Sequence, residues 1–406
     1  MKIKRDEIKL LLLTYLLCIA LFTNLAILKD DMDKGAIYMG LIVCGLITAT
    51  QILIRKFYPH GDKFLITFAC ILSVIGIAVL YRLDTDIAIK QLMYFAAGIV
   101  VFIALVVIIP DIRDFVKYKK VYLIATLLIM PLALFAHQEV YGATNWIRIG
   151  GFSIQPSEFG KITFAIYLAA ALHDYEDKNN IIEDFKQLWQ PALVVVYSLG
   201  CLVGQKDLGS ALIFFGISLT MLYVATGKKK YVVITFILFV LGSIFAYKLF
   251  PHVQQRVLIW RDPWKYKDTT GYQIVQGLYS ISSGGMFGSG LGQGYPGFMP
   301  VNTSDLIFAV ICEELGMVFG LGIMIIYFLF FYRGMRASFR IKDRFSQLNA
   351  IGLSAMIACQ VLVIIGGVFA VIPLTGITLP LISAGGSSII TMFFALAILQ
   401  KISEEG

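Results

Sequence analysis

The chain has 406 residues, of which 58% are apolar and 15% charged, with a net charge of +8; an ordinary soluble domain carries roughly 25% charged residues. So few charged side chains cannot cover a water-soluble surface, which excludes a soluble globule, a disordered tail and a disulfide-rich secreted module. Lipid must be the solvent.

Apolar runs of about 17–25 residues can cross a bilayer as helices. Twelve such runs lie between charged or Gly/Pro-rich breaks, near 10–28, 35–54, 64–81, 91–109, 121–136, 157–173, 190–204, 208–225, 230–249, 305–332, 347–372 and 380–400. The expected fold is an all-α polytopic membrane protein. The first run follows Lys2, Lys4 and Arg5 like a signal peptide, but it is long enough to span and no small-residue cleavage site follows, so it reads as an anchor.

Twelve spans put both termini on one side. Cytoplasmic flanks are enriched in Lys and Arg, and 22 of the 34 fall on the N-terminal side, including Lys228 to Lys230, Arg333, Arg336 and Arg340. Both termini are therefore expected in the cytoplasm, and the positive charge reads as topology, with no nucleic-acid partner. The six cysteines lie inside apolar runs, and more than thirty residues separate each of the four histidines from the next. Neither a disulfide framework nor a local metal motif is expected.

In chain order, the first residues with chemistry are Glu158 and Lys161, three apart at the start of the sixth run and so on one helical face as a ready ion pair. Asp207 follows in the tight turn between the seventh and eighth runs. The connection from Phe250 to Ser304 is then about 55 residues long, where helix connections usually run 2–8, and loops of such length are usually functional. Its stretch 256–273 sets Asp262 and Asp268 among Arg256, Arg261, Lys265, Lys267 and several aromatics, a mixture suited to an anionic, partly apolar ligand.

The glycine-rich stretch 283–294 follows. Gly292 to Gly297 matches G-x-G-x-x-G literally, but no strand precedes it, so the glycines read as tight turns or close approach to another helix. Asp305 opens the tenth run, with Glu313 and Glu314 about two turns deeper, and intramembrane charges are rarely kept without a role. The last external stretch, 373–388, is rich in Pro, Gly and hydroxyls, including Ser383 and Ser387. It reads as a broken or re-entrant segment facing the same pocket as the long connection.

Five motifs in order then carry a resemblance: Asn145-Trp-Ile-Arg148 through Gln155-Pro-Ser-Glu158-Phe-Gly-Lys161, Asp207-Leu-Gly-Ser-Ala-Leu, Gly271-Tyr-Gln-Ile-Val-Gln276, Ser304-Asp through Glu-Glu-Leu-Gly316, and Pro373-Leu-Thr-Gly through Gly-Gly-Ser-Ser388. Together they resemble the SEDS family, the RodA, FtsW and SpoVE proteins. The resemblance implies a ten-helix core, here 62–406 with 250–304 as its large external loop, and leaves residues 1–61 as two added N-terminal helices.

It also implies a peptidoglycan glycosyltransferase that polymerises lipid II, the undecaprenyl-linked disaccharide precursor, at the outer face of the membrane. The implied partners are a class B penicillin-binding protein that crosslinks the product and other elongasome or divisome membrane proteins. The family's essential acid is an Asp of the long loop, acting as base or as ligand to a divalent cation. Asp262-Pro263 fills the first acidic slot of that loop, while the second falls on Tyr266, with Asp268 the nearest carboxylate; Asp262 is therefore the favoured catalytic acid and possible cation ligand, and Asp268 the alternative. The motif Leu-Pro-Glu-x-His-Thr-Asp has become Met299-Pro-Val-Asn-Thr-Ser-Asp305, which keeps only Asp305 of its polar chemistry. With Glu158 and Lys161 lining the cavity, Arg148, Arg256, Arg261 and Lys161 are expected to neutralise the leaving diphosphate. The rival readings are a lipid II flippase or other transporter and a non-catalytic morphogenesis scaffold.

Overall fold

The computed structural model describes residues 5–28, 31–109, 111–136, 144–149, 152–178 and 180–406. Helices α1 (Arg5–Ile27), α2 (Lys34–Phe57), α3 (Lys63–Leu83) and α4 (Thr85–Ile108) are followed by a 3-10 turn (Ile112–Tyr118) that leads into α5 (Lys119–Ile129) and α6 (Leu132–Ala136). A small antiparallel hairpin, β1 (Ile147–Ile149) and β2 (Phe152–Ile154), pairs Arg148 with Ser153 and is the one departure from an all-helical chain among the described residues. Then come α7 (Pro156–Leu172), α8 (Ile181–Gly204), α9 (Leu208–Thr226) and α10 (Lys229–Leu249). The external connection holds α11 (Pro251–Arg261) and α12 (Tyr272–Gly284), and the chain closes with α13 (Ile307–Arg340), α14 (Arg344–Val368) and α15 (Gly386–Glu405).

Eleven stretches among the described residues are long and apolar enough to cross a membrane, and they coincide with eleven of the twelve predicted runs. The remaining run is α7, whose 17 residues begin at Pro156. Proline suits that first helical position, because its missing N–H would have had no partner there. Five helices start on an aspartate whose carboxylate accepts backbone N–H groups of the first turn: Asp33, Asp62, Asp84, Asp207 and Asp343. Part of the charged minority is thus explained by helix capping.

Burial sorts the helices into an inner and an outer set. Almost all of α3 is buried, as are most of α14 and α15, and these helices are apolar around their whole circumference. Helix α10 stands apart, with no buried residue, and packs chiefly on α9 and α11; Phe239 stacks on Phe215 at 3.8 Å between ring centroids. The N-terminal pair α1 and α2 lies against α3 and α4, and the turn after α2 meets the C-terminal end of α15, where His60 N–H donates to Glu404 at 2.9 Å.

Two boundaries differ from the sequence expectation. The tenth run, expected at 305–332, is a 34-residue helix broken at Gly316, whose φ of +85° and ψ of 164° are closed to most side chains. The glycine-rich stretch repairs this break: Ser289 and Gly290 donate to the carbonyls of Glu313 and Glu314 at 2.9 Å, and Met317 and Val318 donate to Gly285 and Met286 at 3.0 and 3.1 Å. A Cβ on Gly316 would lie 2.4 Å from the carbonyl carbon of Phe287, so the two backbones touch.

The last run, expected at 380–400, becomes helical only at Gly386, and 369–385 is irregular yet buried over 377–383. Side chains from four other helices satisfy its carbonyls: Trp260 on Ala370, Arg256 on Leu374 and Thr375, Gln360 on Thr378, Tyr327 on Pro380 and Gln91 on Ser383. Irregular backbone at membrane depth persists only where such partners exist.

Candidate active site

The sixth run places Glu158 and Lys161 one turn apart near the start of α7, and the ion pair closes at 2.8 Å with both side chains almost wholly buried. Lys161 also donates to Gln360 of α14 at 2.7 Å, and Thr391 of α15 donates to Glu158 at 3.2 Å. Through Gln360 and Thr378 the network reaches the 369–385 segment and then Ser388. Charges so buried must be paired and hydrogen-bonded, and here three helices supply the partners.

A second polar group forms around the α8–α9 turn and the start of α9. Asp207 caps α9 by accepting from Ser210 N–H and hydroxyl, and also accepts from Asn145 at 3.1 Å and Gln155 at 3.0 Å. Arg256 of α11 donates to the carbonyls of Leu374 and Thr375 at 3.3 and 3.1 Å. Asp207 and Asp305 are the two carboxylates that act on it; burial lowers its pKa and these two charges oppose that. Asp305, bonded to the Ser304 hydroxyl, is pushed by burial up to about 6, against the pull of Ser304 and Arg256.

Arg256 also lines a cavity of about 1200 Å³ between α8, α9, α10 and α11. Its lining runs the length of α10 from Tyr231 to Phe250, about 30 Å at the helical rise. Arg256 is the one charged residue in a lining that is mostly apolar, with Leu199, Phe215 and Leu238 among it and a few hydroxyls such as Thr375. At the opposite end Lys228 joins Asp177 and Asp184, both at 2.5 Å, and fixes the start of α10.

The other expected residues lie elsewhere. Asp262 and Asp268 are both exposed, Asp262 capping the 3-10 turn Pro263–Tyr266 through Lys265 N–H at 3.3 Å. Arg261 is exposed at the end of α11, and Arg148 is exposed on β1. The Ser383 hydroxyl donates to Ser304 O and accepts from Leu379 N–H, while that of Ser387 is buried without a partner. Among the described residues no three His, Cys, Asp or Glu gather as metal ligands. Gln360 escaped the sequence reading, since a neutral amide inside an apolar run gives no charge signal, and Asn145 and Gln155 appeared there only as members of a motif, without the Asp207 contact that the fold gives them.

The family model for FtsW, RodA and SpoVE, described as "Cell cycle protein", matches residues 62–406. The chain belongs to the FtsW, RodA and SpoVE family. Among its relatives, the peptidoglycan glycosyltransferase RodA of Mycobacterium tuberculosis (strain ATCC 25618 / H37Rv) is 35% identical over 430 residues, covering 98% of this chain and 90% of that one. Stage V sporulation protein E of Bacillus subtilis (strain 168) is 32% identical over 84% of this chain and 96% of its own length. A chain solved in a study of "Structural coordination of polymerization and crosslinking by a peptidoglycan synthase complex" superposes with a TM-score of 0.72 at 25% identity, covering 84% of this chain and 97% of that one. Thermus thermophilus RodA shares the fold, with a TM-score of 0.63 at 24% identity. In this FtsW, RodA and SpoVE member the long apolar cavity and the buried ion pair belong to one multi-pass helical membrane protein.

Proposed function

We propose that the protein is a peptidoglycan glycosyltransferase that polymerises lipid II at the outer face of the cytoplasmic membrane. The observation that carries this reading is the apolar cavity as long as a membrane span, with a lone guanidinium at its outer end. A polyprenyl diphosphate sugar has that shape and charge: a long hydrocarbon, then an anion, then carbohydrate in water. The hydrocarbon lies along α8, α9 and α10, and Arg256 offsets the negative charge that grows on the departing diphosphate. Asp262, exposed and with one oxygen uncommitted by its cap, takes the proton from the acceptor 4-hydroxyl. The new C1–O4 bond forms as the C1–O bond to the diphosphate breaks, and no nucleotide is consumed.

The relatives named peptidoglycan glycosyltransferase support the activity, and the synthase complex with the matching chain supports a class B penicillin-binding protein as crosslinking partner. The cations at the inner helix ends, beside the turn where α2 and α15 meet, support cytoplasmic termini. Residues 1–61 are an addition to the core, consistent with a family match that starts at 62.

Helix α13 is broken as in many transporters, which makes flipping the reading to test against. Purified protein in liposomes with labelled lipid II should form glycan chains whose yield rises with the transpeptidase partner. Transbilayer movement of label with no polymer would overturn the glycosyltransferase reading in favour of a carrier.

A further inference from the structure

Two buried polar atoms near Arg256 have no partner inside the protein, one on a residue that lines the cavity and one on a residue next to the lining. One is the Thr375 hydroxyl: Thr375 is only 5% exposed, lines the cavity, and its own carbonyl accepts from Arg256 at 3.1 Å. The other is His252 Nε2, one helical turn before Arg256 on α11, between Phe250 and Val253, which both line the cavity. A buried hydroxyl or ring nitrogen without a partner costs about 1–3 kcal/mol. Such atoms persist where a ligand supplies the missing bond.

We propose that Thr375 and His252 complete, with Arg256, the seat for the diphosphate of the lipid-linked sugar. This rests on the glycosyltransferase reading and adds to it the residues that hold the diphosphate. Thr375 donates its hydroxyl proton to a phosphate oxygen. His252 contributes charge, which its surroundings make conditional on occupancy. Arg256 on its own helix and Lys206 of the α8–α9 turn act on it directly; the Asp207 and Asp305 carboxylates act on Arg256; and Lys248 ends α10, where its carbonyl accepts from Gln254. Burial, then Arg256 and Lys206, hold the imidazole below its ordinary value, so it is neutral at pH 7 while the seat is empty. A diphosphate beside it reverses the local field, and the ring takes up a proton from solvent as the anion binds. Binding therefore tightens as pH falls, between the raised value in the complex and the lowered one in the free protein.

The test uses the full-length protein and a short-chain prenyl diphosphoryl sugar, a diphosphodiester whose phosphates do not titrate near neutrality. The expected Kd is lower at pH 5 than at pH 8, by up to about three- to tenfold, the limit that a rise of roughly half to one unit of pKa sets. His252→Gln should flatten that dependence, and Thr375→Val should raise Kd about tenfold at both pH values. Thr375→Val should leave the thermal midpoint unchanged or higher, because it replaces an unbonded buried hydroxyl with a methyl group. A lowered midpoint with unaltered Kd would mark the hydroxyl as structural and overturn the proposal. Wild-type polymerisation with Kd values indifferent to both substitutions would overturn the seat while leaving the glycosyltransferase reading intact. A wild-type protein that neither binds the probe nor forms polymer would overturn both.

Discussion

Lys161 is held by two oxygens at once, Glu158 at 2.8 Å and Gln360 at 2.7 Å. Removing one partner of a buried ion pair leaves an uncompensated charge, so Lys161→Met should cost about 3–5 kcal/mol in thermal or denaturant unfolding. The double variant Glu158→Gln/Lys161→Met should recover most of that loss, and failure to recover would assign the cost to packing. Asp305 gives a signed pH effect. An acid raised from 3.8 to about 6 binds a proton more tightly in the folded state, so its carboxylate opposes folding above about pH 6 and has no effect below about pH 4. Asp305→Asn should raise stability by about 1–3 kcal/mol at pH 7.5 and leave it unchanged at pH 4, measured as the thermal midpoint in detergent. The Glu158–Lys161 pair was legible because three-residue spacing on a helix implies contact. Gln360 lies 199 residues from Lys161, and Asp305 is linked to Arg256 only by the folding of separate elements, so no spacing announced either.

At the scale of elements, hydropathy found the helices and missed their interruptions. A window average is blind to one residue with a left-handed backbone, so Gly316 sits unnoticed in an apolar run, whereas 373–388 shows its broken character in its Pro, Gly and hydroxyls and only the start of the last helix, Gly386 instead of 380, was misplaced. What identifies both places is the set of partners that satisfies the freed backbone groups, and these come from distant sequence. The break in α13 predicts a sharp intolerance. Gly316→Ala would place a Cβ against the Phe287 and Gly288 backbone, which cannot move without losing the bonds that repair the helix. It should cost more than about 2 kcal/mol and reduce the yield of folded protein, whereas Gly322→Ala, with open space at its Cβ, should be neutral or mildly stabilising. Equal yields from the two variants would contradict the account of the break.

On the scale of the whole molecule, the inner helices make a rigid frame and α10 stands off it to leave a lipid-length cavity. That shape was not legible in the sequence, because α10 is as apolar as its neighbours and differs only in what it touches. Gly200 and Gly242 line the cavity with nothing within 4 Å of a Cβ. Gly200→Trp and Gly242→Trp should therefore fill the cavity with little clash. Each should raise KM for undecaprenyl-linked substrate severalfold and change it less for a short-chain analogue; equal effects on both would show that the chain lies elsewhere. The acids were the reverse case: Asp262 and Asp268 were legible as charges in a long external connection, and Asp262's cap explains its place, but nothing in its geometry ranks it above Asp268 as a base. The measurement that does so is glycan-chain formation from lipid II by the purified protein, comparing wild type, Asp262→Asn and Asp268→Asn with and without the transpeptidase partner. The expected result is polymer from wild type, none above background from Asp262→Asn and substantial polymer from Asp268→Asn. Full polymerisation by Asp262→Asn would contradict the catalytic assignment.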